Sequence, residues 1–407
     1  MSATNTSSLF APIALAPRDP ILGITEAFNA DPNPNRINLG VGVYVGDDGR
    51  VPLLECVKRA ETLLLEGSQP LTYLPIDGLQ AYDKAASSLV FGADSPVIAE
   101  GRVIAVQTLG GTGGLRLGAD LLRGFTPAKR VWISDPSWEN HRALFENAGF
   151  TVETYPYSRE RGRELDFAGM VGCLSGLPAG DVVILHACCH NPTGLDLTPE
   201  QWAEVIEVVK ARGLVPFLDI AYQGFAEGLD PDAAPVRAFA AAGVSMLVSS
   251  SFSKSLSLYG ERVGALSVVT SDAAEAARVL SQLKRLVRTN YSSPPSHGAK
   301  IASAVLSSPE LRTLWDEELN GMRTRIRSMR EALAEKLTAL VDGQDFSFIT
   351  RQRGMFSYSG LPQPVIARLR EEHSIYALDS GRICVAALNS RNIDTVANAI
   401  AGCLKTA

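Results

Sequence analysis

The chain has 407 residues, of which 46% are hydrophobic and 20% are charged, and its formal net charge is −6. This composition is typical of a globular protein with a large core and room for two domains, and it argues against a nucleic-acid partner. No run approaches the roughly 18 apolar residues of a membrane span. We therefore expect no membrane partner. The six cysteines form no C-x-x-C pair, which argues against a disulfide scaffold and favours a reducing, cytoplasmic location.

The first 18 residues lack the basic start of a signal peptide and carry prolines within their apolar part. We expect residues 1–18 to form an extended N-terminal arm.

Five short, nearly continuous apolar runs follow in the middle of the chain, and strands buried on both faces have this pattern. They are VIAVQTL (103–109), VWISD (131–135), VVILHA (182–187), VPFLDIA (215–221) and MLVSSSF (246–252). Between two of them, Trp202, Val205, Ile206 and Val209 recur at helical spacing. A Thr198–Gln201 capping box precedes this helix and Gly213 ends it. The alternation predicts an α/β domain around a mainly parallel sheet.

The rhythm changes near the C-terminus. Residues 309–341 have a long helical pattern, QPVIARLREEH (363–373) predicts a second helix, and the chain ends in a third. FSFIT (346–350), MFSYSG (355–360) and GRICVAAL (381–388) read as short strands. These elements predict a smaller α+β domain, with which about the first 45 residues are expected to pack.

Ligands of parallel α/β sheets bind at the carboxyl ends of the strands. The groups that follow the five strands are GGTGG (110–114), PSWENH (136–141), CCHNPTG (188–194), Asp219 with Tyr222, and Ser253 with Lys254. We therefore expect them to converge at one edge.

Each group also has an ordinary structural interpretation. GGTGG can be a tight turn or a phosphate cradle at a helix N-terminus, and Asp219 can be a strand-end cap or the partner of a buried cation. Asn191 fits a turn, and Arg288 and Arg382 fit either solvated side chains or carboxylate clamps. Cys188, Cys189 and His190 are adjacent, so they cannot all face one ion, and no metal is expected.

The combination is more specific than its members. Pyridoxal phosphate needs a lysine for its aldehyde, an acid for its ring nitrogen and a cradle for its phosphate, and these groups all occur here.

Six segments together resemble the aspartate and aromatic aminotransferases, a subgroup of the fold-type-I pyridoxal-phosphate enzymes. The match runs in order from about Asp19 to the C-terminus, through SDPSWENH, CCHNPTGLDLT, FLDIAYQGF, SFSKSLSLYGERVGA, VRTNYSSPP and SGRICVAALN. The resemblance implies a large domain with a mostly parallel seven-stranded sheet, over residues 49–310. Residues 19–48 and 311–407 would form the smaller α+β domain.

The resemblance also implies a role for each site residue. Lys254 would hold the cofactor and move protons, Asp219 would pair with its ring nitrogen, and Tyr222 and Asn191 would bond its phenolic oxygen. Trp138 would stack on the ring, and His141 and His186 would support Asp219. The phosphate would be held by Gly111, Thr112, Ser251, Ser253 and Arg262. Arg382 would bind the substrate α-carboxylate, with Gly42 nearby.

Two further site residues would come from the neighbouring subunit of a homodimer: Tyr73 at the phosphate and Arg288 at the substrate side chain. The N-terminal arm would lie on that subunit. Glu139 after Trp138 and Gly260 before Glu261 resemble the aromatic branch, so the resemblance implies transamination of aromatic amino acids, and of aspartate, with 2-oxoglutarate. The alternatives are an aspartate enzyme with little aromatic activity, a lyase or decarboxylase with the same cofactor, and a module that senses the cofactor.

Overall fold

The computed structural model describes residues 8–16, 20–67, 70 and 72–405. In this part of the chain the α-helices are α1 (Pro20–Ala30), α2 (Glu55–Glu66), α3 (Gln80–Phe91), α4 (Pro96–Ala99), α5 (Gly110–Phe125), α6 (Glu139–Asn147), α7 (Phe167–Ser175), α8 (Pro199–Arg212), α9 (Leu229–Ala241), α10 (Ala273–Asn290), α11 (His297–Ser307), α12 (Pro309–Leu340), α13 (Phe348–Arg351), α14 (Gln363–His373) and α15 (Ile393–Lys405). The strands are β1 (Ile37–Asn38), β2 (Val103–Leu109), β3 (Arg130–Asp135), β4 (Thr151–Pro156), β5 (Ser158–Arg159), β6 (Glu164–Leu165), β7 (Val182–His186), β8 (Val215–Ile220), β9 (Met246–Ser251), β10 (Val263–Val269), β11 (Phe356–Tyr358), β12 (Ile375–Tyr376) and β13 (Arg382–Cys384).

A seven-stranded sheet organises the molecule, in the order β2-β10-β9-β8-β7-β3-β4. Only β10 runs against the other six strands of this sheet. The predicted α/β fold with a mostly parallel seven-stranded sheet is therefore confirmed, and all five strands expected from apolar runs belong to it.

The sheet is buried on both faces, as its sequence pattern indicates. Along β7, Val182 and Ile184 join one core, which also holds Leu115 of α5 and Phe145 of α6. Leu185, on the opposite face of β7, joins a second and larger core. Since successive side chains of a strand alternate between faces, one apolar run supplies both cores.

Helix α8 follows its sequence signals closely. The Thr198 hydroxyl accepts a hydrogen bond from the Gln201 N–H, the Gln201 side chain accepts one from the Thr198 N–H, and Pro199 takes the first turn. Gly213 ends the helix in the left-handed conformation, with φ of 63°. Local chemistry is therefore enough to set both ends of this helix.

Two strands of the large sheet are absent from the sequence prediction. β4 lies at the sheet edge and buries only Val152 and Tyr155, so its apolar signal is weak. β10 is wholly buried, but no strand was predicted for these residues. Of the two interpretations of the glycine run at 110–114, the structure agrees with the helix N-terminus, because these residues open α5.

The C-terminal part contains one wrong prediction. FSFIT is not a strand, because Phe348–Arg351 is a short helix entered through a turn in which Asp345 accepts the Ser347 N–H. Phe346, Phe348 and Ile349 are all buried. Over only five residues, this spacing does not distinguish the two-residue period of a strand from the 3.6-residue period of a helix. β11 and β13 pair as a small sheet, and β13 is followed by a 3₁₀ turn over Val385–Ala387.

Helix α12 connects the two parts of the molecule. Near its start, the Trp315 indole N–H donates to the Ser255 carbonyl, 2.6 Å away and close to the large sheet. About three turns before its end, the buried Arg330 donates to the Ile349 and Gly354 carbonyls. The N-terminal segment reaches the same region, since β1 pairs with β12. Among the described residues, none of the helices has the length and apolar character needed to cross a membrane.

Candidate active site

The carboxyl ends of the parallel strands open into a cavity of about 500 Å³. It lies between the large sheet and residues of the N- and C-terminal segments. The predicted site residues that line it are Gly42, Gly111, Thr112, Trp138, His186, Asn191, Asp219, Tyr222, Ser251, Ser253, Lys254, Arg262 and Arg382. The expected convergence of these groups is thus what the tertiary structure produces.

Lys254 follows β9 and is partly buried in the cavity wall. Its Nζ lies 4.8 Å from the centre of the Tyr222 ring, over the ring face. Burial, together with the charges of Arg262 and Arg382, lowers the pKa of Lys254 to about 8, although the charge of Asp219 opposes this change. The amine is therefore substantially neutral just above neutral pH, in the form that can act as a nucleophile or a base.

Asp219 ends a chain of hydrogen bonds that assigns the tautomers of two histidines. The Asn191 N–H donates to His186 Nδ1 at 3.0 Å, so the proton of a neutral His186 lies on Nε2. That atom is 3.4 Å from His141 Nδ1, which the Ser137 hydroxyl also contacts at 2.9 Å. His141 Nδ1 is thus an acceptor, and its Nε2–H donates to Asp219 Oδ2 at 3.1 Å.

This arrangement keeps Asp219 charged. Burial alone would raise the pKa of Asp219, but the His141 hydrogen bond and the nearby positive charge of Lys254 hold it below its usual value. Burial, with the charge of His141, lowers the pKa of His186 to about 3. A fixed carboxylate therefore faces the cavity.

An anion cradle occupies another side of the cavity. Ser251 ends β9 and its hydroxyl donates to the Ser253 hydroxyl at 3.1 Å, to which Arg262 also donates at 3.3 Å. Helix α5 points its N-terminus here, and its N-cap residue provides no side-chain cap. Free backbone N–H groups, hydroxyls and a guanidinium suit a phosphate.

Arg382 forms the opposite wall and is only 1% exposed. Its Nη1 donates to Asn191 Oδ1 at 3.0 Å and its Nη2 to the Gly40 carbonyl at 2.8 Å, while the guanidinium stacks on Phe356 at 4.2 Å. Its Nε is buried without a hydrogen-bond partner among the described residues. A buried donor that lacks a partner is costly, so it indicates a place for a ligand oxygen.

A family model for class I and II aminotransferases matches residues 34–400. The chain belongs to this family.

Individual aminotransferases resemble the chain over nearly its whole length. The aspartate aminotransferase of Pseudomonas aeruginosa is 58% identical over 97% of this chain and 99% of its own. A solved aromatic-amino-acid aminotransferase from Burkholderia pseudomallei, covalently bound to pyridoxal phosphate, is 62% identical with a TM-score of 0.95, over 98% and 100% of the two chains. A psychrophilic aromatic enzyme from Psychrobacter, co-crystallised with aspartic acid, is 45% identical with the same TM-score and the same coverage.

The chain is therefore a transaminase that uses pyridoxal phosphate. The donor set of the cavity fits this group, because it offers an amine, a fixed carboxylate, an anion cradle and the flat side chain of Trp138. Among the described residues the Nε of Arg382 has no hydrogen-bond partner, so it is a further donor available to a ligand.

Three predicted residues of the aminotransferase do not line the cavity of their own chain. His141 lies behind Asp219 and acts on it through the hydrogen bond described above. Tyr73 is 94% exposed. Arg288 lies exposed on the last turn of α10, and its guanidinium donates to the hydroxyl of Ser292, just beyond the helix. Their assignment to a neighbouring subunit stays a prediction.

The sequence interpretation missed several residues of the cavity wall. Tyr259 lies between Lys254 and Arg262, and its hydroxyl accepts the Tyr44 N–H at 2.9 Å. Its position in SFSKSLSLYGERVGA, between two predicted site residues, could have indicated that Tyr259 lines the cavity. The other missed lining residues are Val41, Val43, Leu115, Ala221 and Phe356, small or apolar side chains that carry no motif of their own, and Cys188 and Cys189 line the cavity as part of the predicted CCHNPTG group.

The thiols of Cys188 and Cys189 lie near the Asp232 carboxylate, which the sequence did not indicate. The two Asp232 oxygens accept backbone N–H groups of Gly224, Ala226, Glu227 and Gly228. These hydrogen bonds satisfy the buried Asp232 carboxylate, so its burial can be explained without a bound ion. That no metal takes part stays a prediction.

Proposed function

We propose that the chain transfers the amino group of aromatic amino acids, and of aspartate, to 2-oxoglutarate in two half-reactions at one site. The observation that carries the proposal is the position of Lys254, Asp219 and Arg382 around a single cavity. One reactive amine, one fixed negative charge and one carboxylate clamp are what an amino-acid transaminase requires.

Pyridoxal phosphate, when bound, supplies an aldehyde for the amino group and an electron-poor ring that stabilises negative charge at the substrate Cα. Asp219 keeps a proton on the ring nitrogen, because its carboxylate stays ionised. Ser251, Ser253 and Arg262, with the N-terminus of α5, hold the phosphate. These contacts fix the ring while the amino acid changes.

Lys254 moves the proton. The pKa of Lys254 in the cavity is about 8, so its Nζ would serve both as the amine that holds the aldehyde and as the group that accepts and returns the substrate Cα proton. Arg382 fixes the α-carboxylate during both steps, since its guanidinium is held in place by Asn191 and Gly40.

We further infer a homodimer with shared sites. Arg288 is on an exposed helix end and Tyr73 is almost fully exposed, so both are free to reach a second copy of the chain. The described part of the arm also exposes apolar side chains, among them Leu9, Ile13 and Leu15. Covering them on a neighbouring subunit would remove this apolar surface from water.

We also propose the domain division 49–310 for the large domain, with 19–48 and 311–407 as the small one. The pairing of β1 with β12 and the bond from the Val45 N–H to the Ala386 carbonyl support the second group. Trp315, near the start of the 311–407 segment, contacts Ser255 of the large domain, so α12 links the two domains. Any relative motion of the domains would then act along α12.

The function is tested by initial rates with phenylalanine, tyrosine and aspartate as donors and 2-oxoglutarate as acceptor. We expect equal amounts of keto acid and glutamate, parallel double-reciprocal plots, and turnover with all three donors. Lys254→Ala is expected to abolish turnover. Turnover of aspartate alone would support the narrower aspartate aminotransferase, and release of carbon dioxide or ammonia would contradict transamination.

A further inference from the structure

Glu139 lies beside the arginine that we assign to the substrate α-carboxylate. It is the first residue of α6, and its Oε2 is 3.6 Å from Arg382 Nη1. This distance forms an ion pair but is too long for a hydrogen bond. Oε2 is buried and has no hydrogen-bond partner among the described residues. The carboxylate therefore interacts with Arg382 through charge rather than through a formed hydrogen bond.

The two members of this ion pair differ in their freedom. The side chain of Arg382 is 1% exposed and bonded to Asn191 and Gly40, whereas that of Glu139 is 30% exposed and bound by no hydrogen bond at Oε2. When a substrate carboxylate reaches Arg382, two carboxylates share one guanidinium and repel each other. Glu139 is the group with a route to solvent, so it gives way.

A second acid lies near Glu139. Tyr358 is partly buried, which raises its pKa, and the charges of Glu139 and Asp135 raise it further. Both carboxylates therefore lie within electrostatic range of the same side chain. Lys254, Arg262 and Arg382 line the cavity, whereas Glu139 and Asp135 are not among its lining residues.

We propose that Glu139 tunes specificity: it neutralises Arg382 when no substrate is bound, and it weakens, without preventing, the binding of substrates with a second carboxylate, 2-oxoglutarate included. The inference rests on the proposed function, in which Arg382 holds the α-carboxylate. An aromatic amino acid brings one carboxylate, which replaces Glu139 as the partner of Arg382. Aspartate brings a further negative charge near an acid that is already displaced, so the repulsion is larger for aspartate.

The decisive variant is Glu139→Gln, which keeps the size of the side chain and removes its charge. We expect the ratio of kcat/KM for aspartate to kcat/KM for phenylalanine to rise by about fivefold or more, mainly through a lower KM for aspartate. Glu139→Asp keeps the charge, so its ratio should stay within about twofold of the wild-type ratio. Glu146→Gln is the matched control, because it removes a charge from the same helix in an exposed pair with Arg142.

A binding measurement separates charge from a structural effect. Calorimetric titration of the holoenzyme with succinate and with 3-phenylpropionate, which carry no amino group, reports affinity without turnover. Glu139→Gln should tighten succinate more than 3-phenylpropionate, and this difference should shrink at high salt because salt screens the repulsion. A loss of packing would not depend on salt in this way.

The inference is overturned if the kcat/KM ratio of Glu139→Gln equals that of the wild type, or if the variant binds both succinate and 3-phenylpropionate more weakly. The wild-type enzyme, measured beside the variants, tests the proposed function separately. If it does not transaminate phenylalanine and aspartate, the proposed function fails. If it does and the ratio stays unchanged, only the role of Glu139 is rejected.

Discussion

At the scale of single residues, burial is the factor that makes Lys254 reactive. An exposed lysine is protonated throughout the neutral range, whereas burial brings the pKa of Lys254 down to about 8. The neighbouring Arg262 and Arg382 act in the same direction, and Asp219 limits the effect. The two arginines to which we assign anion binding therefore also favour the neutral form of the amine.

This pKa predicts how the apoenzyme captures its cofactor. Only the neutral amine attacks the aldehyde, so the rate of covalent capture should rise about tenfold per pH unit below about pH 8 and level off above it. The measurement is the visible absorbance of the apoenzyme mixed with pyridoxal phosphate. Repeating it with pyridoxal, which lacks the phosphate, controls for titration of that group. A rate that still rises toward pH 10 would show that Lys254 has an ordinary pKa.

At the scale of elements, the junction of α5 with β10 shapes the anion cradle. Gly110 opens α5 with φ of 69°, and a Cβ there would lie 2.4 Å from Arg262 Nη2. A Cβ on Gly264 of β10 would lie 2.4 Å from the carbonyl carbon of Gly110. The helix thus approaches the strand backbone so closely that only glycine fits on both sides.

Gly110→Ala should therefore weaken cofactor binding, because the new methyl group displaces Arg262 from Ser253. We expect the dissociation constant of pyridoxal phosphate from the apoenzyme to rise about tenfold or more, through loss of a charge-assisted contact. Gly124→Ala is the matched control on the same helix, since nothing lies within 4 Å of the added Cβ. It should leave affinity unchanged and stabilise the fold by up to about 1 kcal/mol. Equal affinities of the two variants would contradict the proposed cradle.

At the scale of the whole molecule, the proposed dimer makes a complementation experiment possible. Lys254→Ala removes the amine of a site, and Arg288→Ala removes the group that we assign to the other subunit's site. A heterodimer of the two variants would contain one doubly defective site and one intact site. After unfolding and refolding in equal mixture, about a quarter of the sites, and of the wild-type activity toward aspartate, should return.

Light scattering during size-exclusion chromatography should give the mass of two chains for each variant and for the mixture. The variants refolded separately should stay inactive or strongly impaired toward aspartate. If the mixture gains no activity although heterodimers form, Arg288 serves its own chain and the shared site is rejected.

Much of the secondary structure of this protein follows from local sequence patterns. Both ends of α8 follow from Thr198, Gln201 and Gly213, and five strands follow from apolar runs, because caps and burial act over a few residues. The edge strand β4 and the short helix Phe348–Arg351 do not follow, because their burial depends on neighbours that are distant in sequence.

By itself, the sequence determined the fold, the family and the residue types of the site, since the groups that follow the strands of a parallel sheet meet at one edge. Only the tertiary structure decided their charge states and partners. Lys254 is a reactive amine because the folded chain buries it, and Asp219 stays ionised because His141, 78 residues earlier, donates to it. Glu139 meets Arg382 across more than half the chain, and no local pattern encodes such a contact.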